Sequence, residues 1–299
     1  MERLDFPKMV VINMSLDCTA SCPNCPYVNN PEFAAGHKSL YMKDTLFTKI
    51  ATEVGKHGSW LRLSGREPLM HPNAYPLISY AKYAGCKVGL NTNGMNLTIN
   101  FLLSGVDAVM VSVDAGSKPM YGLVRPGLDW DRLVENVFAF RRLRDKIGAD
   151  TVIIASIVDQ KILGDSMYGA VKFWGKMVDK VMVRKFLTWG VLNPTHSGNP
   201  APYLDDTLPC PFAFERLNID TDGTVAFCGY DVFFKYSVGN VMGESIKDVW
   251  DRMSETRDKI EKDGWDKVEM CRDCTDRKYR SWNYNWWKVV EDAKKERRL

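Results

Sequence analysis

The sequence predicts an α/β protein with a parallel sheet, which is either doubly wound or curled into a barrel or part-barrel. Two observations predict this class. Short apolar segments alternate with longer segments of helical periodicity, six times between residues 10 and 184. The chain of 299 residues, 45% hydrophobic and 26% charged, is also long enough to bury a substantial core.

Each predicted strand is short, and several are rich in Val and Ile, as strands buried on both faces usually are. The predicted strands are 10–13, 60–63, 87–91, 108–112, 151–157 and 180–184. The helical patterns between them are 42–56, 76–84, 99–104, 129–146 and 167–178. Pro76 suits the first position of its helix, where the missing N–H costs no hydrogen bond.

The alternation stops at a proline-rich segment, which predicts a linker. Beyond it, residues 216–219 and 224–228 flank Asp222 and Gly223 and predict a hairpin. A helix is predicted at 245–260, and an aromatic helix ends the chain. The predicted units are a barrel or sheet domain at 1–191, a linker at 192–209 and a cysteine-rich domain at 210–299.

Composition excludes several function classes. The net charge is +3 and the charges are mixed, so no basic stripe predicts a nucleic-acid partner. Residues 1–13 are too few and too charged for a secretion signal. The longest apolar runs are strand-sized, so no membrane span or membrane partner is expected. We expect a cytoplasmic protein.

Three cysteines, Cys18, Cys22 and Cys25, follow the first predicted strand. In a reducing compartment such a group favours a metal over disulfides. Three thiolates on an iron–sulfur cubane leave one iron open for another ligand. A zinc site is the alternative, but the nearest histidine is His37, and closed structural zinc has four protein ligands.

The spacing Cys18-x3-Cys22-x2-Cys25 after the first strand resembles that of the radical S-adenosylmethionine (SAM) enzymes. The resemblance implies a 4Fe–4S cluster whose open iron binds SAM. Reductive cleavage then gives methionine and a 5′-deoxyadenosyl radical that abstracts hydrogen from a substrate. The resemblance also implies a partial (β/α)6 TIM-like barrel and an electron donor such as a flavodoxin or ferredoxin.

Further motifs extend the resemblance at the ends of the next strands. The sequence Ser-Gly-Arg-Glu-Pro is similar to the family's Gly-Gly-Glu-Pro, which holds the methionine amino group. Polar residues after the third and fourth strands match contacts to the methionyl carboxylate and ribose, and a later arginine matches the carboxylate's partner. Taken singly, these residues also suit turns, caps or a surface ion pair. The implied SAM contacts are Gly65, Glu67, Asn93, Ser112, Asp114 and Arg125.

Two positions depart from the family pattern. Arg66 replaces the second glycine of Gly-Gly-Glu, which brings an extra cation near the predicted SAM site. Asn24 stands before the third cysteine, where the family usually has an aromatic residue that packs on adenine, and Tyr27 is a candidate for that packing.

Four further cysteines, Cys210, Cys228, Cys271 and Cys274, lie in a segment that resembles the twitch extension, a shortened SPASM domain. The resemblance implies one auxiliary 4Fe–4S cluster. Four thiolates would close that cluster, which favours electron transfer over substrate ligation. A four-cysteine zinc site, and with it a zinc-binding interaction protein, is the alternative. Cys86 is expected to be a small buried residue, with a hydrogen-atom donor as the alternative.

In length and cysteine content the chain resembles the aminocyclitol dehydrogenase class of butirosin assembly. The resemblance implies a small-molecule substrate such as an aminosugar or aminocyclitol, oxidised at a carbinol in antibiotic biosynthesis. One alternative is an epimerase, in which a cysteine returns a hydrogen. Another is a peptide-modifying enzyme, although such enzymes commonly carry a recognition domain ahead of the radical cluster.

Substrate contacts are harder to predict. Arg184 and Lys185 end the sixth strand and are candidates to polarise or deprotonate a hydroxyl; a surface ion pair is the alternative. The aromatic run 279–287 is a candidate for stacking on a sugar over the barrel mouth, and ordinary packing of a terminal helix is the alternative.

Overall fold

The fold was analysed in a computed structural model that describes residues 3–30, 32, 39–187, 189, 210–272, 274, 276 and 285–297. Its strands are β1 (Met9–Ser15), β2 (Trp60–Gly65), β3 (Lys87–Thr92), β4 (Ala108–Ser112), β5 (Val152–Asp159), β6 (Lys180–Lys185), β7 (Arg216–Ile219), β8 (Thr224–Ala226) and β9 (Ser237–Asn240). Within the described residues these strands form one sheet, in the order β6-β5-β4-β3-β2-β1-β7-β8-β9. Strands β1 to β6 pair in parallel with their sequence neighbours, as the alternating pattern predicts.

Helices follow most strands and cover the outer face of the sheet. The described α-helices are α1 (Pro26–Asn29), α2 (Asp44–Lys56), α3 (Ala74–Tyr83), α4 (Ile99–Leu103), α5 (Lys118–Val124), α6 (Trp130–Ile147), α7 (Ser166–Gly175), α8 (Pro211–Glu215), α9 (Ile246–Arg252), α10 (Ser254–Asp263), α11 (Glu269–Arg272) and α12 (Trp286–Arg297). The longest, α6, begins where the Asp129 carboxylate accepts hydrogen bonds from two backbone N–H groups, and it ends at Gly148 with φ of 68°.

All six predicted barrel strands are present, and their ends lie within two residues of the predicted ones. Two helix predictions are wrong in detail. Helix α3 begins before Pro76, at Ala74, because the preceding turn at His71 already opens the helix. The helix predicted at 245–260 is two helices that meet at Met253. The Arg257 guanidinium donates to the Trp250 carbonyl at this junction.

The two faces of the barrel strands differ, because side chains alternate along a strand. Outward residues such as Leu61 and Leu63 pack in the large core beneath α2, α3, α6 and α7. Inward residues in the amino-terminal halves of the strands form a second apolar cluster. Inward residues near the carboxyl ends are mostly polar and line a cavity: Arg62, Asn91, Ser112, Ser156 and Arg184.

Helix α12 covers the inner face of the sheet near the amino-terminal ends of the barrel strands. Trp286 packs edge-to-face against Trp60, with 6.2 Å between ring centroids, and α12 also buries Val289, Val290 and Ala293 in the inner cluster. Gly89 makes room for this helix, since a Cβ there would lie 2.6 Å from the Trp286 ring. The described part of the aromatic run therefore packs a terminal helix; residues 279–284 lie outside the described residues.

The carboxy-terminal unit continues the barrel sheet. Strand β7 pairs in parallel with β1. Strand β8 pairs antiparallel with β7, as the predicted hairpin, and β9 pairs antiparallel with β8. The linker predicted at 192–209 lies outside the described residues, so the predicted domain boundaries stay predictions. Among the helices that the structure describes, none combines the length and the apolar character needed to traverse a bilayer.

Candidate active site

A cavity of about 310 Å³ lies at the carboxyl ends of the barrel strands. Parallel strands bring the loops that follow them to this same edge, which is where such sheets and barrels build their sites. Most of the residues predicted from sequence meet here. The predicted residues that line the cavity are Cys18, Cys22, Cys25, Gly65, Asn93, Ser112, Arg125, Arg184 and Lys185.

The three predicted cluster cysteines lie on the loop after β1. Backbone and side-chain donors already face their sulfurs: the Ala20 N–H donates to Cys18 Sγ at 3.4 Å, and Arg125 Nη1 donates to Cys22 Sγ at 3.5 Å. Burial raises the pKa of the Cys18 and Cys25 thiols. Without a metal these thiols therefore favour the protonated form, and metal binding would have to displace the protons.

This donor set fits an iron–sulfur cluster. Three thiols open onto one cavity, and the donors at Cys18 and Cys22 would stabilise negative charge on the sulfurs. Among the described residues, no three His, Cys, Asp or Glu side chains converge closely enough to hold a single metal ion. Cluster cysteines each ligate a different iron, so they need not converge in that way.

Glu67 lies directly behind the lining, with 1% of its surface exposed. Its carboxylate accepts hydrogen bonds from Thr92 Oγ1 at 2.8 Å, from the Asn93 N–H at 2.7 Å and from the Leu69 N–H at 3.2 Å. Burial nevertheless raises the pKa of Glu67 to about 7. A carboxylate offers about four acceptor sites, so one remains for a ligand ammonium group.

The SAM contact predicted for Asp114 stays a prediction. Its carboxylate is fully buried and does not line the cavity. Instead it accepts from Arg125 Nε at 2.7 Å and from the Val158 N–H at 2.7 Å, on a backbone with φ of 50°. Asp114 therefore positions Arg125, whose remaining edge faces Cys22.

The two departures from the family pattern both face the cavity. Arg66, Asn24 and Tyr27 belong to its lining. The positive charge of Arg66 lowers the pKa of Cys18 and Cys25, against the larger effect of burial. Arg66 therefore adds a cation beside the predicted cluster, while Tyr27 stays a prediction as the adenine contact.

The four predicted auxiliary cysteines lie apart from this cavity. Cys210 precedes α8, Cys228 follows β8, and the Cys274 N–H donates to the Cys271 carbonyl in one tight turn. Phe212, Gly229 and Tyr230, which are near two of these cysteines in sequence, line the cavity wall. The predicted auxiliary site thus adjoins the predicted SAM site, and its ligand set stays a prediction.

Cys86 lies far from both groups. It is 2% exposed, belongs to the outer core, and its thiol donates to the Ala51 carbonyl at 3.1 Å. This is the expected small buried residue.

Arg62 and Arg216 are cavity residues that the sequence analysis did not identify. Arg62 interrupts the apolar strand β2 between two buried leucines, and a charge at an alternating position is a usable signal for an inward-facing polar residue. Arg216 begins a strand whose pairing with β1 the sequence pattern does not indicate.

Comparisons with known proteins agree with this picture. Residues 210–275 match the SPASM family, an iron–sulfur cluster-binding domain. The AdoMet-dependent heme synthase of Methanosarcina barkeri is 28% identical over 115 residues, which is 37% of this chain and 32% of that protein. The chain thus spans about a third of the length of that curated relative.

Two solved structures share the fold. Streptococcus suis SuiB bound to its precursor peptide SuiA has a TM-score of 0.68 at 13% identity, over 83% of this chain and 65% of SuiB. BtrN in complex with AdoMet and 2-DOIA has a TM-score of 0.56 at 17% identity, over 92% of this chain and 94% of BtrN. The predicted parallel α/β barrel with a carboxy-terminal extension is confirmed.

The SPASM match, the fold and the cysteine motif all support the resemblance to radical SAM enzymes that carry a SPASM-type extension. The cofactors of this class are SAM and 4Fe–4S clusters, one of them auxiliary.

Glu67 provides a pH test of the predicted SAM contacts. The resemblance implies that the Glu67 carboxylate holds the SAM ammonium, so affinity for SAM should fall as Glu67 takes up its proton below pH 7. We expect the dissociation constant of SAM to rise up to about tenfold per pH unit between pH 7 and 5.5. The α-amino group of SAM stays protonated in this window. Glu67→Gln should remove the pH slope, and Glu135→Gln, at an exposed site on α6, should retain it. Equilibrium dialysis of the reconstituted enzyme measures both.

Proposed function

We propose that this enzyme oxidises a carbinol of a small polyol to a ketone and passes the released electron to its auxiliary cluster. The observation that carries this proposal is the distribution of the cysteines. All eight lie in the described part of the chain, and only Cys18, Cys22 and Cys25 line the cavity. An epimerase of the kind considered above needs a further cysteine there to return a hydrogen atom.

The bound cofactors would supply a 5′-deoxyadenosyl radical that removes the carbinol hydrogen, together with an acceptor for the next electron. Loss of one proton and one electron then gives the ketone, with methionine and 5′-deoxyadenosine as co-products. The electron used to cleave SAM is thereby recovered. Phe212 and Tyr230 form the wall towards the predicted auxiliary site.

Residues of the chain would orient the reactants. Arg125, held by Asp114, faces the predicted cluster, and Arg184 lines the cavity, where it would donate hydrogen bonds to the substrate. A guanidinium does not deprotonate at working pH, so Arg184 serves as a hydrogen-bond donor and not as the base. Lys185 lies 3.6 Å from the Asp159 carboxylate, which fixes its ammonium at the cavity edge.

A peptide substrate is the second candidate. SuiB, which shares the fold, was solved with a precursor peptide, whereas BtrN was solved with 2-DOIA. Coverage does not separate the two candidates, since BtrN matches this chain over 94% of its own length and anSMEcpe, which was solved with the Cp18Cys peptide, matches over 95%. Turnover of the candidate substrates separates them.

The experiment is turnover with candidate cyclitols and sugars deuterated at the carbinol carbon. We expect deuterium in 5′-deoxyadenosine and one ketone formed per 5′-deoxyadenosine, both measured by mass spectrometry. In deuterated water with unlabelled substrate, no solvent deuterium should enter a substrate C–H bond at the reacting carbon. Such incorporation would support epimerisation and defeat the oxidation proposal.

A further inference from the structure

The cavity lining is unusually rich in positive charge. Six of its residues are basic: Arg62, Arg66, Arg125, Arg184, Lys185 and Arg216. No Asp or Glu of the described residues lines it. Such a surface attracts anions and repels cations, all the more strongly where protein walls exclude water.

Three of these cations have local partners that account for them. Arg125 is paired with Asp114, and Lys185 faces Asp159. Arg66 lies close enough to Cys18 and Cys25 that its positive charge lowers the pKa of both thiols. These residues serve the predicted cluster or the cavity edge.

Arg62 and Arg184 are different. In the described part of the chain, neither guanidinium forms an ion pair with a carboxylate, and Arg62 Nε is buried without a hydrogen-bond acceptor. Arg62 lies 4.9 Å from the centre of the Trp286 ring, which compensates a cation only in part. Burial lowers the pKa of both arginines, and repulsion from Arg184 and Arg216 lowers that of Arg62 further.

SAM and the cluster that binds it would not neutralise this pair. Three thiolates make a SAM-binding cluster anionic, and the sulfonium of SAM offsets that charge. Arg62 lies three residues before the end of β2, and Arg184 lies one residue before the end of β6. Among the described residues neither has a carboxylate within ion-pair distance, although the charge of Asp114, which pairs with Arg125, also acts on Arg184. Buried cations without ion-pair partners lower the stability of a protein, so their presence favours a ligand that supplies the negative charge.

We propose that Arg62 and Arg184, which both line the cavity, bind an oxyanion of the substrate, a phosphate or a carboxylate. This inference rests on the proposed function, since it names the class of polyol that is oxidised. The substrate is then an acidic polyol, such as a sugar phosphate or a sugar acid. A free aminocyclitol or aminosugar would bring its ammonium group against the two arginines.

A matched set of hexoses tests the proposal by isothermal titration calorimetry on the anaerobically reconstituted enzyme with SAM bound. Glucose is the neutral member, glucose 6-phosphate and glucuronate are the two anions, and glucosamine is the cation. We expect at least one anion to bind at least about tenfold more tightly than glucose, and glucosamine to bind most weakly. The two anions distinguish a phosphate site from a carboxylate site.

Two variants locate the effect. Arg62→Met and Arg184→Met should each weaken binding of the preferred anion about 10- to 100-fold, while the exposed Arg142→Gln should not change it. Because each Met removes a cation without an ion-pair partner, we expect the Tm of these variants without anion to rise by about 2–4 °C.

Equal binding of glucose and both anions by the wild-type enzyme would overturn the proposal, as would undiminished anion binding in both Met variants. The proposed function has a separate readout. If anions bind as expected but no substrate of this class yields a ketone with 5′-deoxyadenosine, the oxidation fails and the anion site stands.

Discussion

Replacing Cys22 with Ser abolishes 5′-deoxyadenosine release and lowers the bound iron from about eight to about four atoms per chain. Cys22 is one of three cysteines on the cavity, so its loss leaves two ligands for the cluster that would bind SAM. The auxiliary site uses other cysteines and should keep its iron. Iron and sulfide analysis after anaerobic reconstitution measures the first effect, and chromatography of the nucleoside product measures the second.

Cys86→Ala is the matched control, because Cys86 is buried in the outer core. It should keep the full iron content and product release, and lose only about 1 kcal/mol of unfolding free energy with its hydrogen bond to Ala51. Zinc in place of iron in the wild-type protein would contradict the cluster assignment. So would loss of all iron in Cys86→Ala while Cys22→Ser retains it.

Trp286→Ala should lower the free energy of unfolding by about 3–5 kcal/mol. Trp286 is 4% exposed, fills the space beside Gly89 and packs against Trp60 on the inner face of the barrel. Its removal leaves a cavity that rigid strands cannot collapse to fill. Urea denaturation followed by circular dichroism measures the loss.

Tyr83→Ala is the control for this variant, since the Tyr83 side chain is 90% exposed on α3. It should change the unfolding free energy by no more than about 0.5 kcal/mol. Equal stability of Trp286→Ala and the wild-type protein would mean that α12 does not hold the inner face together.

The sequence predicts the barrel and much of the site because both follow from local pattern. The resemblance to the family's motifs predicts Gly65, Asn93 and Ser112, and because these residues lie at the ends of parallel strands, the pairing brings them to one edge. The pairing of Asp114 with Arg125 is not predicted, because the motif does not indicate which way the carboxylate points.

The remaining features depend on contacts between distant segments. The floor of the cavity is formed by Arg62 on β2, by Gly89 on β3, which has no side chain, and by Trp286 from the carboxy-terminal helix. No local periodicity encodes which of these three meet. The proposed acidic substrate likewise depends on Arg62 and Arg184 lining the same cavity, which brings together strands that are not neighbours in the sheet.

The parallel pairing of β1 with β7 has a consequence for how the chain folds as it is synthesised. Strand β1 emerges early, but one of its two edges gains its partner only when residues 216–219 leave the ribosome. Until then the unpaired N–H and C=O groups along that edge are open to pairing with other chains, which is a route to aggregation. The SPASM-type unit therefore completes the pairing of β1 late in synthesis, and β1 is the strand that leads into the predicted cluster-binding loop.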